Sequence, residues 1–541
     1  MTSPGPRLAL AWRSAMAALF LVALGNTVVV TVLPAIIADL GGFDRYAWAS
    51  TSYLIAATTA MPIAGRLADL HGRRAFFLIG VVIFMAASIP VALSRTMEQL
   101  VLFRALQGLG GGVIMVNSTA AIADLAPPRE RGKYHGFMGM VFSLATVVGP
   151  VVGGIVVDRL QWWGWAFLIN VPLGVAVLIL LARFFPRPDA LAPAQPETSA
   201  GVGGSASAPR VDYAGIVTLV PATVATLVAL SVAGVQFPWR SWQVVSLLAF
   251  GLGMTVVFLA VESRSPCPIV PLTIYRYRGV PAAVAATFLA SFGLYGIILF
   301  VPLFFQAVQS ASAGRSGVFL VPIIVGVTVG AVAAGQLVSR TEGRERLLAV
   351  AGAVFLSGGI YLLSTLSAET SSVLAVAYVL LMGAGVGAVF TLAGVVVQNA
   401  VPHEDAGAAT AAVQFQRAVG GTVGVAVLGA MMARRTADRL REEVPARVRE
   451  LLPEAWLDLA NATRLLVDPS ASDVLAEQVS APGSGAAELA QEVAGYAAAA
   501  LGGALGDTFL LAAVVAGVSV AVALFLRVPG ERSKGGDPPS T

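Results

Sequence analysis

Gly65-Arg-Leu-Ala-Asp69-Leu-His-Gly72-Arg73-Arg74 returns 270 residues later as Gly335-Gln-Leu-Val-Ser-Arg-Thr-Glu-Gly-Arg344. Two further stretches repeat at nearly the same distance. Pro128-Arg-Glu130 is echoed by Pro402-His-Glu404, an offset of 274, and the glycines between Gly149 and Gly154 by Gly420, Gly421 and Gly424, an offset of 271. A period this long marks a duplicated architecture and has to be read before any single helix. Three near-equal offsets in one chain direction imply two halves in parallel orientation.

The residues between these landmarks are those of a membrane protein. Of 541 residues, 57% are apolar and only 12% are charged, whereas a soluble domain carries about 25% charge. Disordered and collagen-like classes are excluded on the same grounds, and a single cysteine, Cys267, excludes an internal disulfide scaffold. With three histidines beside that cysteine, no metal site and no cofactor are expected. Crossing about 30 Å of hydrocarbon takes roughly 20 apolar residues in a helix, and fourteen runs approach that length. Residues 1–182 hold six and form an N-terminal half. A Pro/Ala/Gly/Ser-rich stretch at 183–212 reads as a cytoplasmic linker. Two inserted spans occupy 213–262, and 263–541 forms a C-terminal half of six more. Within that half, 434–507 is charged enough to be an extracellular segment carrying short surface helices. The expected fold is all-α and integral to the membrane, with fourteen spans arranged as 6+2+6.

Lysines and arginines set the orientation. Twenty of the 34 fall in segments on the side of both termini, and five in the short loops opposite. Both termini are therefore expected in the cytoplasm. The net charge of +4 is a topology signal and gives no reason to expect nucleic acid.

Four groups of residues carry the chemistry. In the opening stretch, Gly65 and Gly72 permit a tight turn between packed helices. Asp69 suits a helix N-terminus, and Arg73 and Arg74 can pair with acids across the bundle, so the group reads as a gate. The second group, Leu100-x-x-x-Arg104-x-x-Gln107-Gly108-x-Gly110, places a cation inside span 4. That costs about 2.5–3.5 kcal/mol on insertion scales, so Arg104 needs polar partners, a wet cavity, or a route to the nearby outer end. Arg104 and Gln107 are the candidate coupling residues. The third, Gly149-Pro150-x-x-Gly153-Gly154 in span 5, allows close approach and a bend. The fourth is a candidate substrate cavity. It includes the polar in-span residues Asn26, Asn117, Gln306 and Arg417, with Phe288, Phe292 and Tyr295 at i, i+4 and i+7 on one face of span 9. The same aromatic stripe also fits packing or lipid exposure.

On these motifs the chain resembles the major facilitator superfamily, and within it the fourteen-span multidrug drug:proton antiporters. Ala126-Pro-Pro-Arg-Glu-Arg-Gly132, Ile169-Asn-Val-Pro-Leu-Gly174, Val301-Pro-Leu-x-x-Gln306 and Gln398-Asn-x-Val-Pro402 extend the match over nearly the whole chain. The resemblance implies an acid in span 1, where this chain has Leu24-Gly25-Asn26-Thr27. No acid lies near the middle of any span. A proton carrier is therefore sought at span ends, in Asp39 or Asp158, or proton coupling is absent.

The resemblance and the residues together imply a plasma-membrane secondary transporter rather than an enzyme. No Gly-x-x-x-x-Gly-Lys-Ser/Thr loop is present. Its partners are expected to be the lipid bilayer, an amphipathic small molecule and protons, and the chain is expected to act as a monomer. Export of amphipathic drugs by proton antiport is the leading expectation; export of a lipid or secondary metabolite, with or without protons, is the alternative.

Overall fold

The computed structural model describes residues 6–40, 48–186, 211–234, 236–309, 320–341, 344–367, 369–449, 452, 456, 465–466, 475 and 485–526. Fourteen long helices run through them: α1 (Pro6–Leu40), α2 (Trp48–His71), α3 (Arg73–Ala92), α4 (Met97–Leu125), α5 (Arg131–Leu160), α6 (Asn170–Phe184, after a turn of helix at Trp165–Leu168), α7 (Tyr213–Val232), α8 (Trp242–Glu262), α9 (Val280–Ala307), α10 (Leu320–Arg340), α11 (Glu345–Ser364), α12 (Ser372–Ala400), α13 (Ala406–Glu443) and α14 (Gly485–Leu524). No β-strand occurs among the described residues. In hydrocarbon every backbone group must be satisfied within its own segment, which makes the helix the available solution. Thirteen of the fourteen are long and apolar enough to cross a membrane. The remaining one, α2, is diluted by threonines, serines, Arg66 and Asp69.

Two bodies of packed side chains account for most of the interior. Buried residues of α1–α6 interlock around Phe77, Phe84, Phe167 and Leu100. Those of α9–α14 form one continuous cluster around Phe304, Leu356 and Phe509. The inserted pair α7 and α8 packs mainly on itself, with Leu219, Phe258 and Ile269 as a small core of its own, and α7 leans on α2 and α13.

The stretch 434–507 differs from its expected form. Helix α13 continues to Glu443 and α14 begins at Gly485, so at 1.5 Å per residue each is about 57–60 Å long and projects well beyond a bilayer's hydrocarbon. Thr436 and Leu440 on α13 continue the buried stripe of Met432, while Ala497, Leu501 and Ala504 on α14 are buried at helical spacing. Arg439 pairs with Asp507 at 3.0 Å, and Arg447 with Glu492 at 3.1 Å. A helix pair packed in this way stays helical despite its charged outer face. The four-residue helix Ala446–Arg449 follows α13. The linker at 187–210, the side chain of Asp158 and most of 450–484 lie outside the described residues.

The repeated motif reappears in space as two crossings between the halves. A Cβ added to Gly65 of α2 would lie 2.7 Å from Ala411 and 2.9 Å from the Gly407 carbonyl of α13. Its repeat counterpart, Gly335 of α10, would meet the Gly132 carbonyl of α5 at 2.1 Å. Both crossings lie at the face where the basic loops gather, called here the basic face. Gly335→Val is expected to hold α5 and α10 apart there. The measurement is maleimide labelling of a cysteine placed at Thr410 in a Cys267→Ser background, which should rise several-fold.

Candidate functional site

At the basic face the tight α2–α3 turn is made by Gly72, whose φ of 95° favours glycine. It presents Arg73 to two carboxylates. Arg73 Nη2 donates to Asp69 Oδ1 at 3.0 Å, and its Nε donates to Asp124 at the end of α4. These three side chains are at most 6% exposed. The other oxygen of Asp69 accepts from the Ala408 backbone N–H at 2.9 Å, in the first turn of α13 in the opposite half. A carboxylate at a helix N-terminus meets both free donors and the positive end of the dipole. Arg66 reaches Asp405 at 3.3 Å beside it.

A second cross-half contact uses the opposite charge. Arg131, at the start of α5, donates to the Gln398 carbonyl in the last turn of α12 and to Asn399 Oδ1 at 2.8 Å. A cation at a helix C-terminus complements the negative end of the dipole. The Gln398 amide nitrogen donates to the Thr119 carbonyl at 3.0 Å, which turns its oxygen toward His135 Nε2 at 3.1 Å. In that arrangement Nε2 carries the hydrogen and donates. Gln414 of α13 donates to Thr119 Oγ1 of α4 at 3.0 Å.

Above these contacts lies a cavity between the halves, lined from both sides by Thr119, His135, Phe142, Phe390, Gln414 and Arg417 among others. Its open space is about 70 Å³, far below the roughly 300 Å³ at which drug-sized sites begin. It must widen to admit such a molecule. Toward the opposite face a vestibule of about 410 Å³ parts α2 and α13, with Tyr295 and Thr58 in its wall. The described conformation is therefore sealed at the basic face and looser at the other.

The chain matches the Major Facilitator Superfamily over residues 15–425. It belongs to that family. Multidrug transporter protein MdtP of Bacillus subtilis is 36% identical over 427 residues, covering 79% of this chain and 76% of that one. Multidrug resistance protein 3 of the same organism is 32% identical over 420 residues, 78% of each. Among solved structures, the human organic anion transporter MFSD10 superposes with a TM-score of 0.58 at 16% identity, covering 94% of this chain and all of that one. That likeness concerns the fold.

Within this major facilitator protein the motif residues fall into separate places. Arg104 is fully buried inside the N-terminal half, which excludes a route to the outer surface. Its Nε donates to the Ala49 carbonyl at 2.9 Å, its Nη1 to Gln107 at 2.7 Å, and its guanidinium stands 4.4 Å from the Tyr53 ring. Gln107 passes the chain on to Ser88 at 2.7 Å, and Asn170 joins at 3.4 Å. Gly25 faces the far end of this chain: a Cβ there would lie 2.9 Å from Phe84 and 3.1 Å from Asn170 Oδ1. Gly149 and Gly153 pack α5 on α1, against Thr27 and Thr31, while a Cβ added to Gly154 would meet nothing within 4 Å and Pro150 is exposed. This motif joins two helices of one half rather than the two halves.

The expected cavity residues divide as well. Arg417 lines the cavity, whereas Asn26, Asn117, Phe288, Phe292 and Gln306 do not. Asn117 bonds within its own helix to the Val113 carbonyl, and Phe292 is buried in the C-terminal core. Gly420 and Gly424 of α13 abut the backbone of Phe288 and Phe292, so the stripe marks a helix crossing and only Tyr295 opens to the vestibule. Asp39 accepts from Trp163 Nε1 at 2.8 Å, far along α1 from the latch. Arg74 donates to the Ala182 carbonyl. His135, Thr119, Arg131 and Gln414 were not singled out from the sequence. The signal for Arg131 lay in the quoted Arg-Glu-Arg-Gly132, and that for His135 in its being one of three histidines.

Asp69→Asn keeps an acceptor for the Ala408 amide but removes one charge from Arg73. It is expected to cost roughly 2 kcal/mol, the scale of a hydrogen bond to a charged group. Thermal unfolding of the purified protein in detergent would report the loss, and cysteine labelling at Thr410 should rise with it.

Proposed function

We propose that the transporter exports amphipathic small molecules across the plasma membrane, loading from a cytoplasmic basic face and releasing at the opposite face in exchange for protons. The observation that carries this reading is the central cavity. Apolar groups from both halves surround a few polar ones, and its closure at the basic face depends on bonds that cross between the halves. Rocking of the halves would break those bonds and reopen the cavity to the cytoplasm. The basic loops favour a cytoplasmic location for that face, and relatives named as multidrug transporters support the substrate class.

A second reading, export without proton exchange, is favoured by one observation. No aspartate or glutamate is among the described residues lining the cavity, and Gly25 occupies the place of the implied span 1 acid. Proteoliposomes separate the two. Under proton exchange, a fluorescent amphiphile should accumulate several-fold more with an imposed pH gradient than without. Equal accumulation in both would reject exchange and leave export standing. Gly25→Asp is expected to sharpen the dependence on the gradient, since its carboxylate would join the Asn170–Ser88–Gln107 chain leading to Arg104.

A further inference from the structure

We infer that the central cavity takes an organic anion, whose carboxylate, sulfonate or phosphate group binds Arg417. The inference deepens the export reading and rests on it, independently of whether protons are exchanged.

Arg417 sits in α13, part-exposed to the cavity, with its Cζ 4.0 Å from the ring centre of Phe390 and 6.0 Å from that of Phe142. These rings come from opposite halves, α12 and α5. Stacking occupies the face of a guanidinium and leaves its in-plane N–H groups available as donors, the geometry that suits an oxyanion. Nε is buried and has no hydrogen-bond partner. Among the described residues, Arg417 forms no ion pair and no carboxylate lines the cavity with it.

Arg104 is the other arginine placed within a span. Both arginines lie within spans, where an uncompensated charge is costly. Arg104 is met by a backbone carbonyl, an amide oxygen and a ring inside one half, and its Nη2 is left without a partner. Arg417 stacks on rings, donates to the Tyr295 hydroxyl, meets no carboxylate and faces the space between the halves. A cationic substrate would bring a second positive charge into a low-dielectric site with nothing to balance it. An anion supplies the missing counter-charge while its apolar body contacts the remaining wall, where Thr119 and Gln414 add hydrogen-bonding groups. An anion leaving a negative cytoplasm is also favoured about 50-fold per 100 mV of membrane potential.

The test uses two probes that share a ring system and chain length, 1-pyrenebutyrate and (1-pyrenebutyl)trimethylammonium. Full-length protein is reconstituted in liposomes with the potential clamped by potassium and valinomycin. We expect the anion to be transported and to bind at least tenfold more tightly than the cation. Arg417→Gln should erase that preference, and Arg417→Lys should retain part of it. If Arg417→Gln does not fold, the wild-type preference between the two probes decides. Transport of the cation in preference to the anion, or a preference unchanged in Arg417→Gln, overturns the inference and leaves export standing. Transport of neither probe overturns the export reading and this inference with it.

Discussion

The buried guanidinium of Arg73, held between Asp69 and Asp124, is the interaction on which the closed basic face depends. Removed from water, a cation of this kind is tolerable only if carboxylates stay beside it, and those carboxylates are equally costly without it. The triad thus fixes the ends of α2, α3 and α4 together as a rigid plate. Only because Asp69 is held in place can its second oxygen accept from the start of α13, 339 residues away. The Asp69–Ala408 contact between the halves is therefore a single hydrogen bond standing on a strong local cluster, with the Arg66–Asp405 pair beside it. Such a bond can break on rocking while the plate survives.

The repeat explains why a second contact exists, and its divergence explains why the two differ. Glycine pairs recur at equivalent crossings, Gly65 with Gly407 and Gly335 with Gly132. At the position corresponding to Asp69 the second half has Ser339, whose hydroxyl bonds back to its own helix at Gly335. The acid latch is consequently present on one side only. The other side uses Arg131 against the end of α12, a cation at a helix C-terminus where the first has an anion at a helix N-terminus. Both exploit unsatisfied backbone groups at helix ends, so neither needs a charged partner from the opposite half.

The fourteen spans and the duplication were legible because each depends on a property that a linear reading captures: apolar length and sequence spacing. The lengths of α13 and α14 were not, because their extension depends on packing against each other while their outer faces carry arginine and glutamate. The gate motif could be recognised from Gly72 and the charges around it, yet the receiving amide of Ala408 carries no side-chain signature. The aromatic stripe on α9 stayed ambiguous for a related reason. Periodicity placed Phe288, Phe292 and Tyr295 on one face, but which face meets the cavity is decided by the crossing with Gly420 and Gly424.

Two arginines lie inside spans, and their surroundings give them different meanings. A buried cation can be stabilised by fixed groups of the protein or by something that arrives. Arg104 has the first arrangement, a chain of oxygen acceptors running through Gln107 to Ser88, and it serves to hold α2, α3 and α4 in register. Arg417 has rings on its face, the Tyr295 hydroxyl as a polar partner and an unmet Nε. Its position between two halves that must separate means that no fixed carboxylate of the opposite half could accompany it through a transport cycle. A cation retained there without a counter-charge fits one whose counter-charge is carried in and out with each turnover.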